Sequence, residues 1–318
     1  MPDIRKKVRP RKPMRGAVKE ALAGYAFASP AILGVLILTL YPMLASLYYS
    51  FNLVHSRGGM EWLGLENYKY LLTNPASEFP KAVGVTLFYT AVNVVLVILF
   101  CLLVALMLNR RFIGRNFLRG VFFLPSVMPT LSVAILWKML LQNQAKGGLI
   151  NWWLITSGLS TIDFLNTEYI FVTLFSMSLW TCGGTIVVLL ATLQDVPLDQ
   201  LEAVSIDGGN AWHKFARVTY PTIKPVLFFQ LIMCVMTSVQ VYTQSVAFSR
   251  NGAPNRMTYF INVMIYDHAF IQADMRGIAS AEAWLVFLII LIITGVLFRF
   301  QGSLQREDRK ARGRGRWR

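Results

Sequence analysis

The chain has 318 residues, of which 55% are hydrophobic and 15% are charged, and its mean hydropathy is +0.50. This composition excludes a soluble globular domain and indicates an integral membrane protein. The formal net charge is +15, but the basic residues flank the apolar runs, which favours contact with lipid headgroups over binding of nucleic acid.

Six apolar runs are long enough to cross a bilayer core of about 30 Å. They cover residues 24–47, 82–108, 121–141, 169–193, 226–248 and 283–300. The first run is too long for the apolar part of a signal peptide, so we expect it to be retained. The fold class predicted is an all-α membrane protein with six transmembrane helices. Prolines predict kinks in spans one and three, at Pro30, Pro42, Pro125 and Pro129.

The distribution of basic residues predicts the orientation. On the side of the two termini lie 23 of the 31 Lys and Arg residues, against seven on the other side, with Lys138 near a span end. By the positive-inside rule, both termini and the 194–225 loop are cytoplasmic. We therefore expect a basic, disordered tail at 1–20, a six-span domain at 21–300 and a second basic tail at 301–318.

The longest markedly polar insert between two apolar runs in the middle of the chain is LEAVSIDGGNAWHKFARVTYPTIKP, residues 201–225. Asp199 is expected to N-cap a helix that starts at Gln200, with Glu202 completing a capping box. Gly208 then ends this helix, because glycine adopts the left-handed conformation without steric cost.

A second short helix is expected after this glycine hinge, with Asn210 as its cap. Along one of its sides, apolar residues recur at helical spacing: Trp212, Phe215 and Val218. Pro221 and Pro225 are expected to end it before the next span begins. Two short amphipathic helices at the rim of a membrane protein are typical of a docking element.

This loop resembles the EAA loop of the permeases of binding-protein-dependent ABC importers. The resemblance implies that the loop inserts into a cleft of an ATPase subunit, with coupling residues at the matching positions: Glu202, Ala203, Asp207, Gly208, Phe215 and Pro221. The alternative is an ordinary helix-turn-helix between spans that has no partner.

Further stretches extend the resemblance over about residues 20 to 300. They are ASPAILGVLILTLYPMLASLYYSF, WLGLENY, FFLPSVMP, GLINWWL and NGAPNRMTYFINVMIYDHAF. In this order they resemble the sugar-uptake branch, and within it the first permease subunit of the maltose and glycerol-3-phosphate type.

The resemblance implies a type I ABC importer permease in a bacterial or archaeal cell membrane, that is, a multi-pass transport subunit and no enzyme. The implied partners are a second homologous permease, a dimer of ATPase subunits, an extracytoplasmic sugar-binding protein and membrane lipid. No cofactor is expected on this chain, since ATP and magnesium belong to the ATPase. The runner-up functions are an ABC permease for another solute class, a secondary transporter or channel, and a membrane enzyme.

Sequence motifs for chemistry are absent. No GxxxxGK[ST] nucleotide-binding loop and no HExxH zinc motif occurs, and the six runs contain no Asp or Glu away from their ends. The cysteines lie in apolar runs, which indicates packing; they are Cys101, Cys182 and Cys234. The histidines are isolated in polar loops, which indicates solvated or locally bonded side chains and no metal site; they are His55, His213 and His268.

Two polar stripes run along the fourth and fifth spans. One consists of Ser178, Thr181 and Thr185; the other consists of Thr237, Gln240 and Gln244, with Ser238 beside it. Such residues often only bond helix to helix, but they also suit a wet cavity for sugar hydroxyls, with Trp180 stacking on a sugar face. The resemblance implies a mid-membrane substrate site here, with the candidates Trp180, Thr181, Thr237, Ser238 and Gln240.

Overall fold

The computed structural model describes residues 15–143, 148–165, 169–248 and 256–314. Apart from one hairpin, its regular elements are helices, in chain order α1 (Arg15–Val35), α2 (Tyr41–Ser50), α3 (Glu66–Thr73), α4 (Phe79–Asn109), α5 (Arg115–Phe123), α6 (Thr130–Leu141), α7 (Leu149–Thr156), α8 (Ile170–Thr181), α9 (Gly183–Gln194), α10 (Leu198–Ile206), α11 (Ala211–Lys214), α12 (Tyr220–Val239), α13 (Thr243–Phe248), α14 (Ile261–Tyr266) and α15 (Arg276–Arg314). Short turns of π-helix or 3₁₀-helix extend or join some of them, at Leu36–Leu40, Leu124–Val127, Phe215–Thr219 and Asp267–Ile271.

Four helices in the described ranges are long and apolar enough to cross a membrane, namely Val18–Ser50, Phe79–Asn109, Ala211–Phe248 and Arg276–Gly302. Two further pairs reach this length only together and are bent, α5 with α6 by 102° and α8 with α9 by 46°. The total is six if each bent pair crosses once. The structure thus confirms a helical architecture with four to six candidate spans.

The 102° bend confirms the kink predicted for span three. Pro125 lies in the 3₁₀ turn after α5, and Pro129 immediately precedes α6. The 46° bend at Cys182 is not predicted by the sequence. There, a Cβ on Gly183 would overlap the backbone carbonyl of Phe122, so the absence of a side chain allows α9 to approach α5 closely.

The prolines of the first span do not separate two helices. Pro30 lies inside α1 and Pro42 lies in the first turn of α2, and the π-helical turn between them keeps the helix continuous.

The prediction of disorder over 1–20 is wrong from Arg15 onward, where α1 begins, because the AVKEALA stretch is rich in strong helix formers. At the other end, α15 continues to Arg314, well into the predicted tail. Residues 1–14 and 315–318 lie outside the described ranges.

Two apolar clusters form the core, and α4 contributes to both. The cluster at the N-terminal end of α4 includes Tyr89, Leu174 and Phe260, while the one toward its C-terminal end includes Leu189 and Ile223. The cysteines are free thiols that pack in or against the second cluster, as the sequence predicts: Cys101, Cys182 and Cys234. Because α4 spans both clusters, it fixes the positions of the helices around it.

A small hairpin packs against α2 and α15. Its strands, β1 (Asn52–Val54) and β2 (Met60–Trp62), pair antiparallel. A Cβ on Gly277 would overlap the Asn52 carbonyl, so the hairpin sits directly on the start of α15. The Ser56 amide also donates to Asp274 Oδ1 at 2.5 Å, which joins the hairpin to the loop before α15.

One buried carboxylate corrects the sequence analysis. Helix α15 begins at Arg276, about two turns before the predicted sixth span, and therefore includes Glu282. The side chain of Glu282 is fully buried. Its Oε1 lies 2.6 Å from Nδ1 of His268, which is therefore neither solvated nor bonded to a near neighbour in sequence. The other carboxylate oxygen of Glu282 has no hydrogen-bond partner among the described residues.

Candidate functional site

A cavity of about 540 Å³ lies between α4, α8, α9, α12 and α13. Hydroxyl and amide groups supply most of its polar lining, and valines, Phe229 and Met233 supply much of the apolar part. Among the described residues that line it, none is Asp, Glu, Lys or Arg. An uncharged cavity with many hydrogen-bonding groups suits a neutral, polar ligand better than an ion.

The stripe predicted on the fourth span lines this cavity along its full length. Ser178, Thr181 and Thr185 all face it, although the helix bends by 46° between the second and third of them. Residues at i, i+3 and i+7 lie on one face of a helix, and the bend does not rotate that face away.

The stripe predicted on the fifth span reaches the cavity only in part. Thr237, Ser238 and Gln244 line it, but Gln240 does not. Helix α12 ends at Val239, and Gln240 is the exposed residue that follows it, so the helical spacing does not hold across this position.

Trp180 also lies outside the lining, with its ring centroid 6.1 Å from that of Trp137. The aromatic rings that the structure does place at the cavity are Tyr89 and Phe229. Of the five substrate-path candidates, the structure therefore brings together three: Thr181, Thr237 and Ser238.

Helix α4 supplies two cavity residues that the sequence analysis missed. Asn93 is 5% exposed and donates through Nδ2 to Ser238 Oγ at 2.9 Å, while the Tyr89 hydroxyl lies 3.0 Å from Ser178 Oγ. The signal was present, because an amide in the middle of an apolar run must face a partner or water. Gln230 of α12 was missed too, and its Oε1 accepts from Thr185 Oγ1 at 3.4 Å.

The hydrogen-bonding capacity of the cavity favours a ligand with hydroxyl groups. Thr181 and Thr237 donate to carbonyls of their own helices, those of Met177 and Met233, both at 3.0 Å, so their oxygen lone pairs can still accept. Ligand hydroxyls can donate to these two oxygens and accept from the glutamine amides. Asn93 Oδ1 is buried and has no partner among the described residues.

The polar loop forms two helices, as predicted, but begins differently. Pro197 precedes α10, which starts at Leu198, so the prediction that Asp199 caps the helix with Glu202 is wrong. Asp199 lies in the first turn, where a carboxylate is favoured by the helix dipole without a capping bond. Gly208 has φ +74° and ends α10, which confirms the glycine hinge.

The start of the second helix is confirmed and its predicted end is wrong. Asn210 Oδ1 accepts from the His213 amide at 3.0 Å, and the His213 side chain completes the capping box. Pro221 stands in the first turn of α12 and Pro225 inside it, so the helix continues into the apolar segment. The π-helical turn Phe215–Thr219 just before Pro221 relaxes the backbone where the proline ring would meet the preceding turn.

The predicted coupling residues lie on the surface of this loop. Glu202, Ala203, Asp207, Gly208 and Pro221 are exposed, and Phe215 is half-buried. Phe215 packs between the rings of Trp212 and Tyr220, with centroids 5.7 and 6.2 Å away.

Large apolar side chains also point outward from the loop, among them Ile206 and Trp212. Ile206 is 87% exposed and Trp212 is 69% exposed. Since both lie beside charged and polar residues of the loop, they mark a surface suited to a protein partner.

Comparison with known proteins extends these observations. The model of the family described as "binding-protein-dependent transport system inner membrane component" matches residues 97–307. A probable ABC transporter permease protein, YesP of Bacillus subtilis, is 34% identical over 91% of this chain and 93% of its own length. The trehalose/maltose transport system permease protein MalF of Thermococcus litoralis is 30% identical over 88% of this chain and 94% of its own length. AmyD of Thermoanaerobacterium thermosulfurigenes is a probable permease protein for the transport of starch degradation products. It is 28% identical over 87% of this chain and 92% of its own length.

The fold is also known from experiment. The crystal structure of a bacterial ABC transporter involved in the import of the acidic polysaccharide alginate contains a chain that matches with a TM-score of 0.76. The two are 22% identical, and the match covers 89% of this chain and 98% of that one. The chain therefore belongs to the family of inner membrane components of binding-protein-dependent transport systems, the ABC transporter permeases.

Proposed function

We propose that this chain is a permease subunit of an ATP-driven carbohydrate importer and forms the translocation path together with a second, similar permease. The observation that carries the proposal is the cavity of about 540 Å³, which is rich in hydroxyl and amide groups and has no charged side chain among its described lining residues. A proton-coupled or sodium-coupled transporter generally keeps ionisable groups at its site.

Several features support a sugar as the ligand. The free lone pairs of Thr181 and Thr237 match the hydroxyl donors of a sugar, and the Phe229 ring offers an apolar face for stacking. The names of the relatives agree, since they refer to starch degradation products, trehalose and maltose. A second permease would complete the enclosure of this cavity.

The loop carrying α10 and α11 is proposed to dock on an ATPase subunit, which would hold the ATP and magnesium. Exposed Ile206 and Trp212 supply apolar contact area, and Glu202 and Asp207 supply charge at its edge. Gly208 holds the turn between the two helices in a conformation that a larger residue would strain. Motion of the ATPase dimer would pass through α12, which is continuous with the loop and lines the cavity.

The proposal assigns the loop and both termini to the cytoplasmic side of six spans, following the distribution of basic residues. The hairpin then faces outward, where exposed Trp62 and Met60 suit an extracytoplasmic binding protein. A related alginate transporter has been solved in complex with its oligosaccharide-bound periplasmic protein.

The test is uptake of radiolabelled maltose, trehalose and other sugars by cells with and without this chain. We expect chain-dependent uptake that stops when ATP is depleted while the proton and sodium gradients persist. Uptake that survives ATP depletion and stops when the gradients collapse would instead identify a secondary transporter. Chain-dependent uptake of a non-sugar solute alone would contradict the carbohydrate assignment.

A further inference from the structure

Two adjoining depressions lie at the C-terminal end of α4. One, the arginine pocket, has a volume of about 450 Å³ and contains Arg111, Arg115 and Arg119. The other, the apolar groove, has a volume of about 640 Å³ and is walled mostly by aliphatic and aromatic side chains of α4 and α5. Leu106 lines both, so the two depressions are neighbours, and together they are called the crevice; Arg110 is the one charged residue among the described residues that line the groove.

The arginine pocket concentrates positive charge without a compensating carboxylate. None of its described lining residues is acidic, and no ion pair joins its arginines to Asp195, the acid nearest to the lining in sequence. Arg119 donates only to the Leu108 carbonyl at 3.4 Å, and its Nε is buried without a partner among the described residues. Three guanidinium groups around one pocket repel each other unless an anion lies between them.

The apolar groove lies where the α4 span ends. Its wall includes Met107, which is 66% exposed, and the partly exposed Phe112 and Leu118. Arg110 and Arg111 follow directly after Asn109, the last residue of the helix, and Arg115 and Arg119 lie on α5. In a membrane-spanning helix, this succession places the apolar groove beside acyl chains and the arginine pocket at headgroup level.

We propose that the crevice binds an anionic phospholipid, with its phosphate in the arginine pocket and an acyl chain in the apolar groove. Guanidinium groups match phosphate oxygens through paired hydrogen bonds, and basic pockets between membrane helices are suited to lipid headgroups.

The crevice also adjoins the loop proposed to couple to the ATPase. Leu198 and Leu201 of α10 line the far wall of the arginine pocket, and so does Thr219, just before α12. A lipid phosphate held there would join the end of α4 to the base of this loop. The proposal requires only that α4 cross the membrane, and not that the cavity bind a sugar.

Native mass spectrometry of the full chain, purified from membranes in mild detergent, can measure the retained lipid. We expect phosphatidylglycerol to bind in preference to phosphatidylcholine, and each of Arg111→Gln, Arg115→Gln and Arg119→Gln to weaken phosphatidylglycerol by about fivefold, as one lost basic contact predicts. Arg299→Gln is the matched control, because it removes an exposed arginine in the C-terminal half of α15. It should leave the binding of phosphatidylglycerol unchanged.

The groove is tested separately with Met107→Trp, which fills it, against Leu99→Trp at an exposed position of the same helix outside the groove lining. Only Met107→Trp should weaken the binding of phosphatidylglycerol. Equal affinity for both lipids, or equal losses in variants and controls, would overturn the proposal. So would full displacement by glycerol phosphate, because a headgroup without acyl chains would then be the ligand. Transport is not measured, so either result leaves the carbohydrate proposal untouched.

Discussion

The side-chain amide of Asn93 donates a hydrogen bond of 2.9 Å to the hydroxyl of Ser238 and ties α4 to α12 at the cavity wall. Ser238→Ala should leave this buried amide unpaired and destabilise the protein by about 1 to 3 kcal/mol. Adding Asn93→Leu to Ser238→Ala should recover part of the loss, because the unpaired group is removed. Thermal unfolding in detergent measures both; a double variant less stable than Ser238→Ala would show that the bond does not govern this contact.

The exposed apolar residues of the polar loop lead to a second prediction. Ile206→Asp and Trp212→Ala should lower the amount of ATPase that copurifies with the permease, since exposed aromatic and aliphatic anchors often dominate docking surfaces. Leu65→Ala, a similarly exposed site at the hairpin end, should leave it unchanged. Normal ATPase recovery with both loop variants, at equal permease levels, would exclude this surface from the contact.

The contact between Ser56 and Asp274 predicts a pH dependence at the hairpin. The hydrogen bond from the Ser56 amide lowers the pKa of Asp274 below its ordinary value. A carboxyl whose pKa is depressed by folding stabilises the folded state above the unfolded pKa, and this contribution is lost as pH falls through the folded pKa. The protection factor of the Ser56 amide in hydrogen exchange should therefore be constant near neutral pH and should fall at acid pH, below the ordinary range of aspartate.

Asp274→Asn should remove this acid transition, and Asp195→Asn at the other end of the molecule should preserve it. An identical acid response in Asp274→Asn would assign the transition to another group.

The buried pair formed by Glu282 and His268 gives a fourth prediction. Glu282→Ala should destabilise the protein by roughly 3 kcal/mol, because it removes one partner of a buried polar pair and leaves a cavity. Glu61→Ala, an exposed carboxylate on β2, is the control and should change stability little. Matching melting temperatures for the two variants would mean that the pair contributes little to the fold.

Local signals in the sequence predicted local structure well. Asn210 caps its helix and Gly208 ends the preceding one, since both depend on a few neighbouring atoms. Asp199 failed as a cap because Pro197 starts the helix two residues earlier than expected. Pro125 and Pro129 predicted the sharp bend between α5 and α6, whereas the bend at Cys182 depends on the packing of α9 against α5.

Tertiary relationships were beyond the sequence patterns. Gln240 fits the helical stripe, but α12 ends at Val239 with no proline or glycine to indicate it. The contact of His268 with Glu282 needs the π-helical turn Asp267–Ile271, which no local residue preference specifies. Asn93 was detectable as an amide in an apolar run, but its partner Ser238 lies 145 residues away in the chain.

The most direct test of the cavity as the sugar site is uptake of a panel of sugars by Thr181→Val and Thr237→Val, at matched levels of assembled complex. Gln240→Leu serves as the control, since Gln240 lies outside the cavity lining. Losing a hydroxyl that accepts from a buried sugar should cost about 1 kcal/mol. We therefore predict a several-fold higher half-saturation concentration and an altered preference among sugars for both threonine variants, with Gln240→Leu unchanged. If both threonine variants changed only the amount of assembled complex, with half-saturation and preference intact, the cavity would not be the sugar site of this chain.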